Sequence, residues 1–275
     1  MSPQAGPVSR PGMAGLRREL SALLAIAQRD VTKLLRDRPR LAVNLAFPIL
    51  LIGGLGAILQ PVVGPATGLS AVTVAFTGVL AASLFQSAAA GMISVVEDRE
   101  NDFSRELFVT PVLRLTLVAG KVAGETLVAF CQGVFIVVFA LGFGVRISFP
   151  QLALMLGPCL VCCLLGGAFG LATIAVLPNQ RSAMQIFQFL IIPQYVLGGV
   201  LVPLRGVPTY LQVLAQAMPM RYVVELTRAA YYAGSPGYRE AVTGRPLLDA
   251  AVTAALFIIL MTAGVLVFGY RERIR

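Results

Sequence analysis

EDRENDFSRELFVTPVLRLTLVAGK, residues 97–121, is a charged segment that lies between two long apolar stretches of the chain. Of the chain's 22 basic and 13 acidic residues, nine lie in this short segment. Phe103, Leu107 and Phe108 are spaced to share one side of a short helix, which Pro111 would end. We therefore expect a helical loop that projects from an otherwise apolar protein and contacts a soluble partner.

The composition around this segment is typical of an integral membrane protein. Only 13% of the 275 residues are charged and 57% are hydrophobic, and the mean hydropathy is +0.82, whereas soluble domains carry about 25% charged residues. Several apolar stretches have the length of about 20 residues that a membrane-spanning helix needs. The sequence predicts an all-α integral membrane fold with six transmembrane helices, at about 41–59, 69–96, 117–143, 150–176, 182–202 and 249–269.

The segments outside these spans have distinct patterns. Residues 1–12 are rich in Pro, Gly and Ser and predict a disordered tail. Residues 13–38 predict an amphipathic helix on the membrane surface, and residues 39–275 a single six-span domain. The pattern of residues 60–68 predicts an uncharged turn. That of residues 203–248 predicts two short amphipathic helices that are re-entrant or lie over the spans. The basic face of the 13–38 helix includes Arg17, Arg18, Arg29 and Lys33.

The arginines and lysines predict the orientation of the chain in the membrane. With both termini inside, 16 of them lie on the inner side and six on the outer side, as the positive-inside rule requires. The charged segment is then cytosolic, and the protein is a multi-pass protein of the plasma (inner) membrane. The 203–248 segment fits less well, because five arginines lie there on the predicted outer side. Within it, Glu225 has Arg221 and Arg228 one turn away on either side, which predicts a local ion-paired face.

Several kinds of chemistry lack their sequence signals. The chain has no phosphate-binding G-x-x-x-x-G-K-[ST] motif, so we expect it not to hydrolyse ATP itself. It has no histidine, and the Cys159-x-x-Cys162 pair has no second pair to complete a metal site, so we expect these cysteines to pack in a helix and no metal to bind. We read the net charge of +9 as a topology signal rather than as nucleic-acid binding.

Two alternatives remain open at this point. An acidic cluster in the charged segment could hold Mg²⁺ in a membrane-embedded phosphotransferase, although arginines partly neutralise it. The second alternative is an ATP-independent secondary transporter or channel, although the spans carry few acidic residues for ion coupling. Transport of a bulky, mostly apolar cargo would use polar side chains within the spans. The candidates for this cargo path are Ser83, Gln86, Gln132, Gln185 and Gln188.

Two stretches resemble the ABC type-2 export permeases, the membrane subunits of drug-resistance (daunorubicin-type) and polysaccharide- or lipid-export transporters. Residues 97–121 resemble the family's D-R-E-x-G-x-x-[RK]-E-x-L-V-x-P-V-S-R…G-K segment, with Asp102 in place of the usual glycine and Leu113 in place of serine. The matching positions there are Asp98, Arg99, Glu100, Arg105, Glu106, Val109, Pro111, Val112, Arg114, Gly120 and Lys121. Residues 186–232 match a second family pattern at Pro193, Gly199, Pro203, Leu204, Pro208, Leu211, Pro219, Tyr222 and Arg228, with Gly198 where serine is frequent.

This resemblance implies a division of labour. The chain would be a non-enzymatic permease that pairs with a second permease chain, identical or different, and exports a drug, lipid or glycolipid. A separate ABC ATPase subunit would bind ATP and Mg²⁺, so this chain would bind no cofactor. The 13–38 helix would help to dock that subunit, and the 203–248 helices would form an outer gate. The docking residues of the 97–110 coupling helix would be Glu97, Asp98, Arg99, Glu100, Asp102, Phe103, Arg105 and Leu107.

Overall fold

A computed structural model describes residues 28, 32, 36, 38–100, 114–177 and 180–274, and the regular elements of these residues are helices. The predicted tail, most of the 13–38 helix and residues 101–113 of the charged segment lie outside the described residues. In chain order the elements are α1 (Arg38–Ile49), a π-helix (Leu50–Leu55), α2 (Gly56–Thr67), α3 (Ala71–Glu100), α4 (Arg114–Gly142), α5 (Phe149–Val176), α6 (Gln180–Leu197), α7 (Thr209–Gln216), α8 (Pro219–Tyr232), α9 (Tyr238–Ala241) and α10 (Pro246–Ile274).

Five segments of the described chain are long and apolar enough to cross a membrane. They are Asn44–Thr67, Ala71–Ile93, Val122–Gly142, Phe149–Ala175 and Pro246–Val267. They correspond to five of the six predicted spans. Helix α6 occupies the place of the remaining one, but it is less apolar, because Arg181 and several glutamines lie within its 18 residues. The all-helical membrane fold is therefore confirmed for five spans.

The first span differs from its prediction at the C-terminal end. The predicted turn at 60–68 is wrong, because the helix continues through Pro61 and Pro65 to Thr67. Gly68, with φ of 68°, then ends it, and its N–H donates to the carbonyl of Gly64 at 2.8 Å. The π-helix Leu50–Leu55 begins two residues after Pro48, and this proline removes one hydrogen bond from the preceding turn of α1.

Helix α3 is the centre of the described fold. It packs most extensively against α5 and also contacts α4, α6, α8 and the first span. The most apolar 18-residue stretch of α3 is 72% buried inside the protein, whereas the corresponding stretch of α10 is only 11% buried. The small and apolar residues of α3 thus face other helices, whereas α10 presents most of its apolar surface to the surroundings of the protein.

Glycines allow α3 and α5 to approach closely. A Cβ atom at Gly166 would collide with the carbonyl oxygen of Phe85, and one at Gly170 would collide with that of Ala89. The two glycines are four residues apart on α5, and the two carbonyls are four residues apart on α3. This is the small-residue packing by which membrane helices bring their backbones together.

The 203–248 segment contains short helices where the sequence predicted them, and α8 is enclosed by the larger helices. It packs against α3, α5 and α10, and the ring of Tyr231 lies edge-on to that of Phe76, with 5.9 Å between the centroids. Phe76 is near the first residue of α3, whereas the charged segment begins at its last turn. A 30-residue helix is about 45 Å long, so α8 and the charged segment lie at opposite ends of α3.

Candidate functional site

Half of the eight predicted docking residues of the charged segment lie in the described part of the chain. Glu97, Asp98, Arg99 and Glu100 form the backbone of the last turn of α3, so the charged segment begins as a continuation of this helix. The remaining docking residues (Asp102, Phe103, Arg105 and Leu107) lie outside the described residues, as do Arg17, Arg18, Arg29 and Lys33 of the predicted surface helix.

A contact between three helices lies along the predicted cargo path. The hydroxyl of Tyr195 on α6 donates a hydrogen bond to Oε1 of Gln86 on α3, at 2.9 Å. The ring of Phe47 on α1 lies edge-on to that of Tyr195, with 5.8 Å between the centroids. We call these three residues the aromatic contact. Of the three, only Gln86 was a sequence candidate, because aromatic side chains in apolar spans give no separate signal.

Of the other cargo-path candidates, Gln185 and Gln188 are exposed, whereas Gln132 and the hydroxyl of Ser83 are enclosed. Gln185 and Gln188 are exposed on α6, on the face that also exposes Phe189 and Ile192. Gln132 is buried on α4. The face of α6 beside the aromatic contact therefore combines two amides with large apolar side chains. The hydroxyl of Ser83 is also enclosed, without a hydrogen-bond partner among the described residues.

A buried carboxylate also lies between α3 and α4. Glu125 is 7% exposed, and its side chain occupies the space where Gly91 of α3 lacks a Cβ. The side chain of Lys121, one turn before Glu125 on α4, lies outside the described residues. The structure shows that Glu125 faces the central helix.

A buried ion pair lies within α8. Nη1 of Arg228 donates to Oε1 of Glu225 at 3.3 Å, and the two side chains are 0% and 3% exposed. The sequence predicted this pairing but placed it on an ion-paired face, whereas the structure encloses it. Burial lowers the pKa of Arg228, and the neighbouring Glu225 carboxylate acts in the opposite direction.

This ion pair joins three parts of the chain. Oε2 of Glu225 accepts hydrogen bonds from the backbone N–H groups of Thr243 and Gly244 at 2.9 and 3.1 Å, and Oε1 accepts one from the Thr243 hydroxyl at 2.7 Å. Nη2 of Arg228 donates to the carbonyl of Gly199 at 2.8 Å. The pair thereby fixes α8 to the turn after α6 and to the loop before α10. We call Glu225, Arg228, Thr243, Gly244 and Gly199 the α8 anchor.

Further bonds hold α8 against the large helices. The Tyr231 hydroxyl donates to the carbonyl of Arg146 at 2.7 Å, and Nε2 of Gln151 on α5 donates to the carbonyl of Tyr231 at 3.0 Å. At the other end of α8, the N–H of Met220 donates to Oε1 of Gln194 on α6 at 3.2 Å. Helix α8 is therefore a tethered cap over one end of the bundle.

Two more charged residues lie beside the α8 anchor. Asp249 is 5% exposed and packs against Gly244. Its Oδ2 atom has no hydrogen-bond partner in the described chain, and the same is true of Nη1 of Arg221. With Glu225 and Arg228 they make two acids and two arginines, so the charges of these four residues balance.

Comparison with known proteins identifies the family of this chain. The family model of the ABC-2 type transporter matches residues 21–232, which include the charged segment, the aromatic contact and α8. The chain belongs to the ABC-2 type transporter family. The resemblance found in the sequence is thereby confirmed, and the chain is a multi-pass membrane protein with a transport domain rather than a catalytic one. A search of curated proteins found no match.

Proposed function

We propose that this ABC-2 permease is the membrane subunit of an ATP-driven exporter. Its match to the ABC-2 type transporter family over residues 21–232 carries the proposal. A separate ABC ATPase subunit would bind ATP and Mg²⁺ and dock on the charged segment and the 13–38 helix. A second permease chain would complete the transporter in the plasma membrane, with both termini of this chain in the cytoplasm.

The aromatic contact and the adjoining face of α6 support a bulky hydrophobic or amphipathic cargo, such as a drug, lipid or glycolipid. Apolar surface with a few amides binds such molecules by burial and fixes their orientation with few hydrogen bonds. Phe47, Gln86 and Tyr195 join three helices at this place. A cargo that passes between α1 and α6 must separate them, so these residues would respond directly to its size and shape.

The tethered position of α8 supports its role as the outer gate. Force from an ATPase would enter at the charged segment, at one end of α3, and α8 packs at the other end. A long, closely packed helix transmits a rigid-body shift between its two ends. In this proposal α3 links the ATPase to the gate, and the α8 anchor holds the gate together as it moves.

Transport into inside-out membrane vesicles tests the proposal. The chain and its ATPase are expressed together, and the uptake of fluorescent amphipathic cargoes of increasing size is measured with and without ATP. We expect ATP-dependent uptake, and we expect Phe47→Ala to change the relative rates of large and small cargoes. Phe149→Ala is the matched control, because Phe149 is 83% exposed at the start of α5. Uptake that is independent of ATP would instead support a secondary transporter.

A further inference from the structure

The guanidinium groups of two arginines near the start of α10 have no partner among the described residues. Arg205 pairs with Glu240 at 3.4 Å and also donates to the backbone carbonyls of Arg239 and Val242. In contrast, the guanidinium groups of Arg239 and Arg245 make no hydrogen bond or ion pair with other described residues, and both side chains are exposed. These two positive charges are therefore available to an external anion.

Both arginines line the same open cleft, which has a volume of about 620 Å³. The rest of its lining is largely apolar and includes Tyr238, Val242, Leu247 and Leu248. Leu247 and Leu248 are 89% and 57% exposed. The cleft thus places two cationic groups beside exposed hydrocarbon side chains, which is the chemistry of an amphiphile with an anionic head.

The position of the cleft in the fold indicates where such an amphiphile comes from. Pro246 begins both α10 and the apolar segment that is long enough to cross the membrane. The cleft therefore lies where an apolar span begins, at the level of lipid headgroups. The N-terminal end of a long helix also carries a partial positive charge, which adds to the attraction for an anion.

The acidic residues nearby are either paired or buried. The carboxylate of Glu240 is paired with Arg205. Asp249 is buried and packs against Gly244. The exposed charge that remains at the cleft is that of Arg239 and Arg245.

We propose that this cleft binds the headgroup of an anionic membrane phospholipid, with the acyl chains along the exposed apolar face of α10. The site accounts for arginines that the positive-inside rule leaves on the unfavoured side of the membrane. Gly244 belongs both to the cleft lining and to the α8 anchor. A bound lipid therefore supports the loop that binds Glu225, and it stabilises the folded chain whatever cargo is transported.

The test measures lipid binding to the purified full-length chain in neutral detergent. Phosphatidylglycerol is titrated and the thermal unfolding temperature is followed, with phosphatidylcholine and soluble glycerol 3-phosphate as separate arms. We expect stabilisation by phosphatidylglycerol only. Stabilisation by phosphatidylcholine to the same degree would overturn the anionic requirement. Equal stabilisation by glycerol 3-phosphate would show a site for free phosphate and would overturn the lipid proposal.

Paired variants locate the site. Arg239→Gln with Arg245→Gln is expected to weaken phosphatidylglycerol binding roughly 30-fold, because each of the two arginines contributes a factor of about five near an anionic surface. Arg239→Lys with Arg245→Lys keeps the charge and should retain most of the binding. The control is Arg146→Gln, an exposed arginine in another loop. Unchanged binding in the double Gln variant, or an equal loss in the control, would overturn the proposal.

Discussion

Replacing Glu225 by glutamine tests the α8 anchor. The carboxylate accepts four hydrogen bonds, three from Thr243 and Gly244 and one from Arg228. Glutamine has nearly the same shape as glutamate. Both carboxylate oxygens of Glu225 face hydrogen-bond donors, so in either orientation the amide NH₂ group of glutamine would face a donor instead of an acceptor. It also removes the negative charge and leaves the buried Arg228 guanidinium without a counter-ion.

The expected cost follows from this burial. Removing one partner of a buried ion pair destabilises a protein by about 3–5 kcal/mol. At roughly 2–4 °C per kcal/mol for a chain of this size class, Glu225→Gln should lower the thermal unfolding temperature by roughly 6–20 °C. Glu240→Gln is the matched control, because it makes the same chemical change in the exposed pair with Arg205, in which the two side chains are 40% and 50% exposed. Such surface pairs contribute at most about 1 kcal/mol.

The assay is thermal unfolding of the purified variants in one detergent and one lipid mixture, read by the loss of the monodisperse size-exclusion peak. The reasoning also predicts that Arg228→Met combined with Glu225→Gln loses less stability than the sum of the single variants, because no buried charge is then left alone. Equal unfolding temperatures for Glu225→Gln and Glu240→Gln would refute the assignment of a buried, stabilising anchor.

Three further predictions concern the helix contacts. Gly170→Leu should abolish the monodisperse folded protein because its side chain meets the backbone of α3, whereas Gly157→Leu, on an open part of the same helix, should keep the wild-type yield. Ser148→Ala removes the capping box at the start of α5 and should cost about 1 kcal/mol, read as a small fall in unfolding temperature. Tyr195→Phe should cost about 0.5–1.5 kcal/mol and Tyr210→Phe, at an exposed site, no measurable amount, in the same assay.

Five of the six predicted spans were predictable because lipid imposes a length and a polarity that are visible in a single sequence. The short helices of the 203–248 segment were also visible, since their apolar residues recur at helical spacing. The end of the first span was not predictable, because prolines such as Pro61 and Pro65 usually interrupt a helix. Within membrane proteins, prolines are tolerated when neighbouring groups satisfy the freed backbone atoms. Here the side chain of Gln60 accepts a hydrogen bond from the N–H of Ala71 at 2.7 Å and fixes the turn that follows.

The contacts of the candidate site were less predictable because they join distant parts of the chain. Local spacing identified Glu225 and Arg228 as a pair, but their burial depends on Gly199 and on the 243–244 loop. The aromatic contact joins α1, α3 and α6, and no periodicity within one helix connects them. Sequence spacing reports neighbours within an element, whereas burial depends on how elements pack against one another.

Association with an ATPase subunit tests the central claim, that this chain is a permease driven by a separate ATPase. The chain is co-expressed with a candidate ABC ATPase, and co-purification and permease-stimulated ATP hydrolysis are measured. The test variant is Phe103→Ala with Glu100→Arg, in the charged segment. The control is Phe149→Ala with Arg146→Glu, at the turn predicted on the opposite side of the membrane. The account predicts that the wild type and the control bind and stimulate the ATPase and that the test variant does neither. Failure of the wild type to bind any ABC ATPase, or full activity of the test variant, would contradict it.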